Sequence, residues 1–393
     1  MRILIGHNFY QTPGGEDAVA RTAADLLRSF GEEVIEYHRH NDEFNRMWPG
    51  AKLTHLAWLG SNRRSYREIT EIIRAKRPQI AHFHNIYYMM TPAVYKACHD
   101  QGVRVVQSLH NFRMMCSNAL FYRDGHVCED CVTKDLWEGV RHRCFRGSAV
   151  ATALMASNLE RMWRKGVWLK DVDRYIAAAE FTRSKYIDRG IPVGKIVVKP
   201  HFIHPDPGRR QKIGGYALYV GRLSEEKGVM SLIEAWRSIS SIPLKIAGSG
   251  PLEDTLKDFV QQHKMAQVEF LGFLDQPKCQ SMISEASVVV VPSVCYENFP
   301  RVVVEAFACG VPIVASRLGS LAELVEDAKT GVLVDPGSPA DLGRAVRWCF
   351  ENPLQISHMG DNARRVFEER FSARGNYEKL MQIYRNVIEE SSG

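Results

Sequence analysis

The stretch that decides the fold is Glu297-Asn298-Phe299-Pro300-Arg301-Val302-Val303-Val304-Glu305, continuing as Ala306-Phe307-Ala308-Cys309-Gly310-Val311-Pro312-Ile313-Val314-Ala315-Ser316. An apolar run, Val288 to Val291, precedes it, and a second strand is expected over 312–315. A helix held between two such strands is the unit of a parallel sheet. Glu297 is expected in the loop after the first strand, and Glu305 just over two turns into the helix. Positions three, four, seven or eight apart share a helix face, so both carboxylates are expected to point toward the crevice above the strand ends. Open α/β sheets bind ligands in that crevice. Ionised carboxylates only accept hydrogen bonds, so such a pair suits a ligand with many hydroxyls. A sugar nucleotide carries hydroxyls at both ends.

Outward from this unit, strand and helix alternate along the whole chain. Strands are expected at 2–6, 33–37, 80–84, 103–109, 174–178 and 195–199, with an amphipathic helix over 16–30. A second series follows at 216–221, 244–247, 268–271, 288–291, 312–315 and 332–334. Alternation of this kind predicts an α/β fold with parallel sheets covered by helices on both faces. Between the two series, residues 199–208 are rich in proline and glycine and read as an interdomain linker. Residues 111–147 interrupt the alternation and read as an insertion.

The opening stretch resembles the E-x7-E signature of the retaining GT-B glycosyltransferases of family 4. The resemblance continues in Gly319-Ser320-Leu321-Ala322-Glu323-Leu324-Val325 and Thr330-Gly331-Val332-Leu333-Val334-Asp335-Pro336. Upstream it takes in Val220-Gly221-Arg222-Leu223-Ser224-Glu225-Glu226-Lys227-Gly228, Ala247-Gly248-Ser249-Gly250-Pro251, and the glycine loop Pro13-Gly14-Gly15. It implies GT-B architecture: two Rossmann-like domains facing each other across a cleft. The acceptor domain would span 1–200 and the donor domain 201–372. A helix within 373–393 would cross back to the first domain. The implied activity is retaining transfer of a hexose-type sugar from a UDP- or GDP-sugar to a saccharide or lipid-linked saccharide, in surface polysaccharide synthesis.

The resemblance also assigns roles. Arg222 and Lys227 would bind the donor diphosphate, a role their chemistry fits, since a departing diphosphate needs positive charge. Glu297 would contact hexose hydroxyls and Glu305 ribose hydroxyls. The turn Asn298-Phe299-Pro300 departs from the commoner Gly-Phe-Gly, yet is expected to present the N–H groups of Phe299 and Arg301 to the donor. Pro300 has no N–H and suits the first helical position. Gly14 and Gly15 precede a helix N-terminus, where a phosphate can approach closely; a tight turn explains two glycines equally well. His110 would face the donor sugar. The position after it is often Asp in the family and is Asn111 here, which puts an acid role there in doubt. His84 is an acceptor-side candidate, and His82 reads as core. No metal is required for this chemistry.

Composition narrows the class. Of 393 residues, 45% are hydrophobic and 24% charged, which suits a soluble globular chain. No apolar run approaches transmembrane length, and the first residues read as a strand rather than a signal peptide. Nine cysteines without a signal point to a reducing, cytoplasmic setting. The net charge of +6 is uneven: residues 1–200 carry 30 basic and 21 acidic groups, a net +9, and the rest a net −3. A basic first half suits an anionic partner, whether lipid headgroups, a lipid diphosphate or nucleic acid, and a solvated basic surface explains it as well. Two basic-aromatic clusters fit an interfacial contact at the inner face of a membrane. One is 155–175, with Met155, Leu159, Met162, Trp163 and Trp168; the other has Met47, Trp48, Trp58, Arg63 and Arg64. Amphipathic core helices explain both as well.

Within the insertion, Cys116, Cys128, Cys131 and Cys144 form a C-x11-C-x2-C-x12-C array. That spacing suits structural zinc, ahead of an iron–sulfur cluster, with His126 and His142 nearby. The array also keeps open a nucleic-acid- or protein-binding module, although no RNA-reading motif accompanies it. A nucleotide-sugar epimerase is the rival within the fold. A dinucleotide-dependent dehydrogenase is disfavoured, because no G-x-G-x-x-G is present.

Overall fold

The computed structural model describes residues 1–11, 14–57 and 62–390. Pro13 of the glycine loop and Trp58 of the second basic-aromatic cluster lie outside them. The chain divides into two units: Met1–Phe121 with Cys128–Pro200 and Arg374–Gly393, and Tyr122–Val127 with His201–Ala373.

The strands, in chain order, are β1 (Arg2–Phe9), β2 (Glu33–His40), β3 (Ile80–Phe83), β4 (Arg104–Leu109), β5 (Tyr122–Arg123), β6 (His126–Val127), β7 (Arg174–Ala177) and β8 (Ile196–Val198). They continue as β9 (Ala217–Val220), β10 (Leu244–Ala247), β11 (Val268–Gly272), β12 (Val288–Val291), β13 (Ile313–Ser316) and β14 (Gly331–Val334). The first unit holds a sheet of order β2-β1-β3-β4-β7-β8 with every pair parallel. The strand order reverses direction between β1 and β3, and this switch point is where such sheets bind ligands.

β1 runs three residues beyond the expected Gly6. His7, Asn8 and Phe9 stay in register with His38, Arg39 and His40 of β2. Their buried polar groups find partners: His7 Nε2 lies 2.7 Å from Asp17 Oδ1, and Asn8 Nδ2 donates to Asn41 Oδ1 at 2.8 Å and Tyr87 O at 2.6 Å. The helix Gly15–Ser29 follows, with Asp17 accepting from Gly14 N–H at its start. The final helix, Ala373–Glu389, packs in this unit. Leu380, Met381, Tyr384 and Val387 meet Ile3, Ile5, Leu27, Ile80, Val106 and Ile176 in one apolar core.

The insertion contains short helices (Asp130–Thr133 and Glu138–Arg141) and the β5–β6 hairpin. Asp124 (φ 51°) and Gly125 (φ 82°) turn that hairpin. Two consecutive positive φ values in a two-residue loop match the twist of the strands, and Asp-Gly is a preferred pair for it. No helix among the described residues is long and apolar enough to cross a membrane. The 155–175 segment is largely interior: Met155, Leu159 and Trp168 are each 1% exposed, and Trp163 Nε1 donates to Met114 O at 2.8 Å.

In the second unit the order is β11-β10-β9-β12-β13-β14, again all parallel, with its switch point between β9 and β12. Val288, Val290, Leu232, Trp236, Leu342 and Val346 belong to its core. The sequence expectation for the opening stretch needs one correction. The helix is Arg301–Ala308, with Pro300 before it as N-cap. Glu305 is therefore its fifth residue, just over one turn in rather than two. Helix periodicity does not relate the two carboxylates, because Glu297 lies in the preceding loop.

Candidate active site

The second unit places its candidates at the β9/β12 switch point. Lys227 follows β9, Glu297 follows β12, and Lys227 Nζ donates to Glu297 Oε1 at 2.6 Å. Ser293 Oγ donates to the same oxygen at 2.6 Å, and Ser320 Oγ holds the Glu297 carbonyl at 2.6 Å. Burial works against the charged carboxylate of Glu297. The Lys227 charge and the two hydrogen bonds outweigh it, so Glu297 titrates below its usual range. Burial likewise disfavours the Lys227 ammonium, and the Glu297 charge more than offsets this. The site thus presents a fixed cation and a fixed anion.

Glycine makes this packing attainable. At Gly228 φ is +68°, and a Cβ would stand 2.0 Å from Pro292 O. At Gly248 a Cβ would stand 1.9 Å from Gly221 O, and at Gly250 2.4 Å from Leu223 O. Leu223 N–H in turn donates to Ser249 O at 2.9 Å. The loops after β9 and β10 are backbone-to-backbone, a different use of glycine from a dinucleotide fingerprint. Arg222, on the first of these loops, is exposed and has no ion pair among the described residues.

Around the helix start, Arg301 pairs with Glu305 at 3.4 Å. Burial raises the Glu305 carboxyl and Arg301 opposes the rise. Arg301 Nε is buried with no hydrogen-bond partner, so the guanidinium is not saturated. Phe299 is packed away: its ring lies 4.9 Å from His201 and 6.1 Å from Phe371. Asn298 sits half-buried between Glu297 and Phe299.

The first unit gathers its candidates at the C-terminal ends of β3 and β4. His84 Nδ1 and His110 Nε2 lie 2.9 Å apart, with rings stacked at 5.1 Å. His84 Nε2 is buried and has no partner. Burial, then repulsion from His7 and Lys199, pushes His110 down to about 3, so its imidazole is neutral at physiological pH. His82 is satisfied core, bonded to Tyr384 OH at 2.6 Å and Ser108 Oγ at 2.8 Å. Gly14 and Gly15 are exposed at the N-terminus of Gly15–Ser29, and a Cβ on Gly14 would meet nothing within 4 Å. Its backbone is extended, so neither strain nor crowding calls for glycine there.

Sequence reasoning missed Glu16. It lines a cavity of about 30 Å³ with His84, His110, Asn111 and Arg113. Its Oε2 accepts from Tyr10 OH at 3.0 Å and Asn111 Nδ2 at 3.3 Å, and burial pushes its pKa up to about 7. A carboxyl thus stands beside Asn111, carried by the helix Gly15–Ser29. Its place directly after the glycine pair was the available signal.

In the insertion, a hydrogen bond joins Cys131 to Cys116, and the N–H groups of Phe121, Asn118 and Ala119 also reach the Cys116 sulfur. These hold Cys116 down to about 6 against its burial. Among the described residues, the ligand atoms gathered within 4.8 Å of one another are those of Asp130, Glu138 and His142.

Residues 206–366 match the family model described as glycosyl transferases group 1, and residues 19–207 match glycosyltransferase family 4. Glycogen synthase of Mycobacterium tuberculosis is 34% identical over 186 residues, 46% of this chain and 45% of that one. O-antigen chain mannosyltransferase C of Escherichia coli is 27% identical over 227 residues, 56% and 60% of the two chains. The chain spans about half the length of the curated relatives it matches. Among solved structures, Anabaena HepE in complex with UDP superposes with a TM-score of 0.68 at 17% identity, covering 98% of this chain and 100% of that one. With family models matching residues 19–207 and 206–366, and with two parallel Rossmann-like sheets, the chain belongs to the family-4 glycosyltransferases of GT-B fold.

Proposed function

We propose that this glycosyltransferase moves a hexose-type sugar, with retention, from a nucleotide-diphosphate sugar to a saccharide or lipid-linked saccharide acceptor. The observation that carries the reading is the Lys227–Glu297 pair at the β9/β12 switch point, beside the unpaired Arg222. Lys227 and Arg222 would meet the diphosphate as its bond to the anomeric carbon breaks and negative charge builds on the leaving oxygen. Glu297 would accept hydrogen bonds from hexose hydroxyls, and Glu305 from the ribose. The acceptor oxygen would attack from the face the diphosphate leaves, its proton passing to the diphosphate. The reading asks for no metal in the chemistry. The first unit would hold the acceptor, with neutral His84 and His110 as hydrogen-bonding rather than proton-donating groups. One point favours UDP over GDP as the nucleotide: a neighbour of the same fold binds it. The acceptor class rests on relatives that build glycogen and O-antigen chains.

The test is thermal stabilisation by UDP-, GDP-, ADP- and dTDP-sugars, followed by NMR of the product made from the donor that binds. A ligand at about a hundred times its Kd adds about 2.7 kcal/mol to native-state stability. A shift with one nucleotide class and an α-linked product from an α-linked donor are expected. An inverted anomeric centre would refute retention. An epimerised sugar formed without acceptor would make the chain an epimerase.

A further inference from the structure

We propose that the insertion of the first unit binds a zinc ion through the thiolates of Cys116, Cys128, Cys131 and Cys144. The ion would be structural: it would hold residues 111–147 folded and take no part in sugar transfer. Nothing in the transferase reading requires it.

Three observations carry it. First, the backbone draws the cysteines to one place. A hydrogen bond joins Cys131 to Cys116. Cys128 N–H donates to Phe121 O at 2.8 Å, and Phe121 N–H in turn reaches the Cys116 sulfur. Cys144 N–H donates to Gly139 O at 3.0 Å, and a Cβ on Gly139 would stand 3.5 Å from Cys131 Sγ. Second, the turn after Cys116 aims backbone donors at sulfur. The N–H groups of Asn118, Ala119 and Phe121 reach Cys116, and that of Ser117 reaches Cys131. Ala119 (φ 68°) and Phe121 (φ 50°) are left-handed within this turn, an uncommon backbone for side chains of their kind. A thiol is a weak acceptor; the thiolate, the form that ligates metal, makes fuller use of such donors. Third, two groups beside the sulfurs lack partners that a metal thiolate would supply. Ser117 Oγ is fully buried with no hydrogen-bond partner, and a Cβ on Gly139 would stand 2.9 Å from it. Arg189 Nε is also buried without a partner, and its charge is favoured by Cys131. A zinc ion with its thiolates is a dianion, so it would accept from Ser117 and be balanced in part by Arg189.

Sulfur donors select zinc over magnesium or calcium. The neighbouring Asp130, Glu138 and His142 set is the weaker choice, because Lys134 already pairs with Asp130 and Arg141 with Glu138. In the metal-free chain Cys116 Sγ donates to Asn118 Oδ1 at 2.9 Å. Metal binding would end that contact, and each thiol proton would leave to solvent as its sulfur joins the ion.

The experiment is metal analysis of the full chain by plasma mass spectrometry, after expression without a polyhistidine tag and purification under reductant. Zinc K-edge absorption spectroscopy reads the ligand shell. The variants are C116S, C128S/C131S, D130A/H142A and, as a control, C279S, a half-buried cysteine of the second unit. Expected are zinc equimolar with the wild-type chain, with D130A/H142A and with C279S, and a shell of sulfur at about 2.3 Å. C116S and C128S/C131S should lose zinc by about ten-fold or more. Circular dichroism melts show whether each variant is folded; where a cysteine variant is not, the wild-type absorption edge decides alone. A wild-type chain free of zinc after growth in zinc-supplemented medium would overturn the proposal. So would iron in place of zinc, full zinc content in folded C116S and C128S/C131S, or an oxygen and nitrogen shell with zinc lost in D130A/H142A.

Discussion

Lys227 and Glu297 are 70 positions apart and meet at 2.6 Å, and neither side chain could hold its charge in that half-buried place alone. Removing one partner strands the other, so the effects of single substitutions exceed the value of the contact. Lys227→Ala is expected to lower kcat by about a hundred-fold or more, the scale for losing one donor to a leaving group. Arg222→Ala should act in the same direction. Glu305→Ala should instead raise donor KM with kcat nearly intact, because the ribose does not change in the reaction. Steady-state kinetics with one purified donor separates the two patterns; unaltered kcat in both cation variants would sink the leaving-group role. Glu16 gives a pH prediction. Its native pKa, about 7, lies above the ordinary carboxyl value of 4.5. Below 4.5 both states are protonated and the group contributes nothing. As pH rises from there to about 7 the unfolded chain ionises first, so stability falls, by on the order of 3 kcal/mol, and then levels off. Glu16→Gln should flatten this slope, read as the thermal midpoint at pH 5 against pH 8. A slope unchanged by the substitution would show that the carboxyl is not held protonated.

At the scale of elements, the sites are made by loops that follow strands, and the strands set where those loops meet. The loop carrying Lys227 ends at Gly228, whose positive φ and contact with Pro292 O lock it against the loop after β12. Gly228→Ala combines left-handed strain with a backbone clash, so a loss of about 2 kcal/mol or more is expected. It should also weaken donor binding, because Lys227 and Glu297 would part. Urea unfolding and nucleotide-induced thermal shifts check the two effects. A variant with wild-type stability would mean that the two loops can separate without cost. The final helix illustrates the converse case. The family resemblance implied a helix within 373–393, but the partners of its apolar face, Leu380 to Val387, come from β1, β3, β4 and β7 of the first unit.

For the whole molecule, each unit has its own parallel sheet and core; the second carries its candidates at its β9/β12 switch point and the first at the ends of β3 and β4. Donor stabilisation should therefore appear first in the unfolding of the second unit, which calorimetry of the donor complex can resolve. The excess of positive charge lies in the first 200 residues.

By itself, the sequence determined the class of fold, the alternation and most strand positions. β10 and β12 fall where their short apolar runs stand between turn residues, since a buried parallel strand needs little besides apolar side chains. The family motifs marked Lys227, Arg222, Glu297 and Glu305 from the chain alone. Only the tertiary structure decided the rest. The end of β1 was hidden because His7 and Asn8 are polar, and a polar residue is buried only where distant partners, here Asp17, Asn41 and Tyr87, satisfy it. Glu16 looked like an ordinary first-turn carboxylate until Tyr10, Asn111 and the cavity surrounded it. Trp168 and Trp48 both looked interfacial, and Trp168 is buried while Trp48 is exposed, because which face of an amphipathic segment is covered depends on what packs against it.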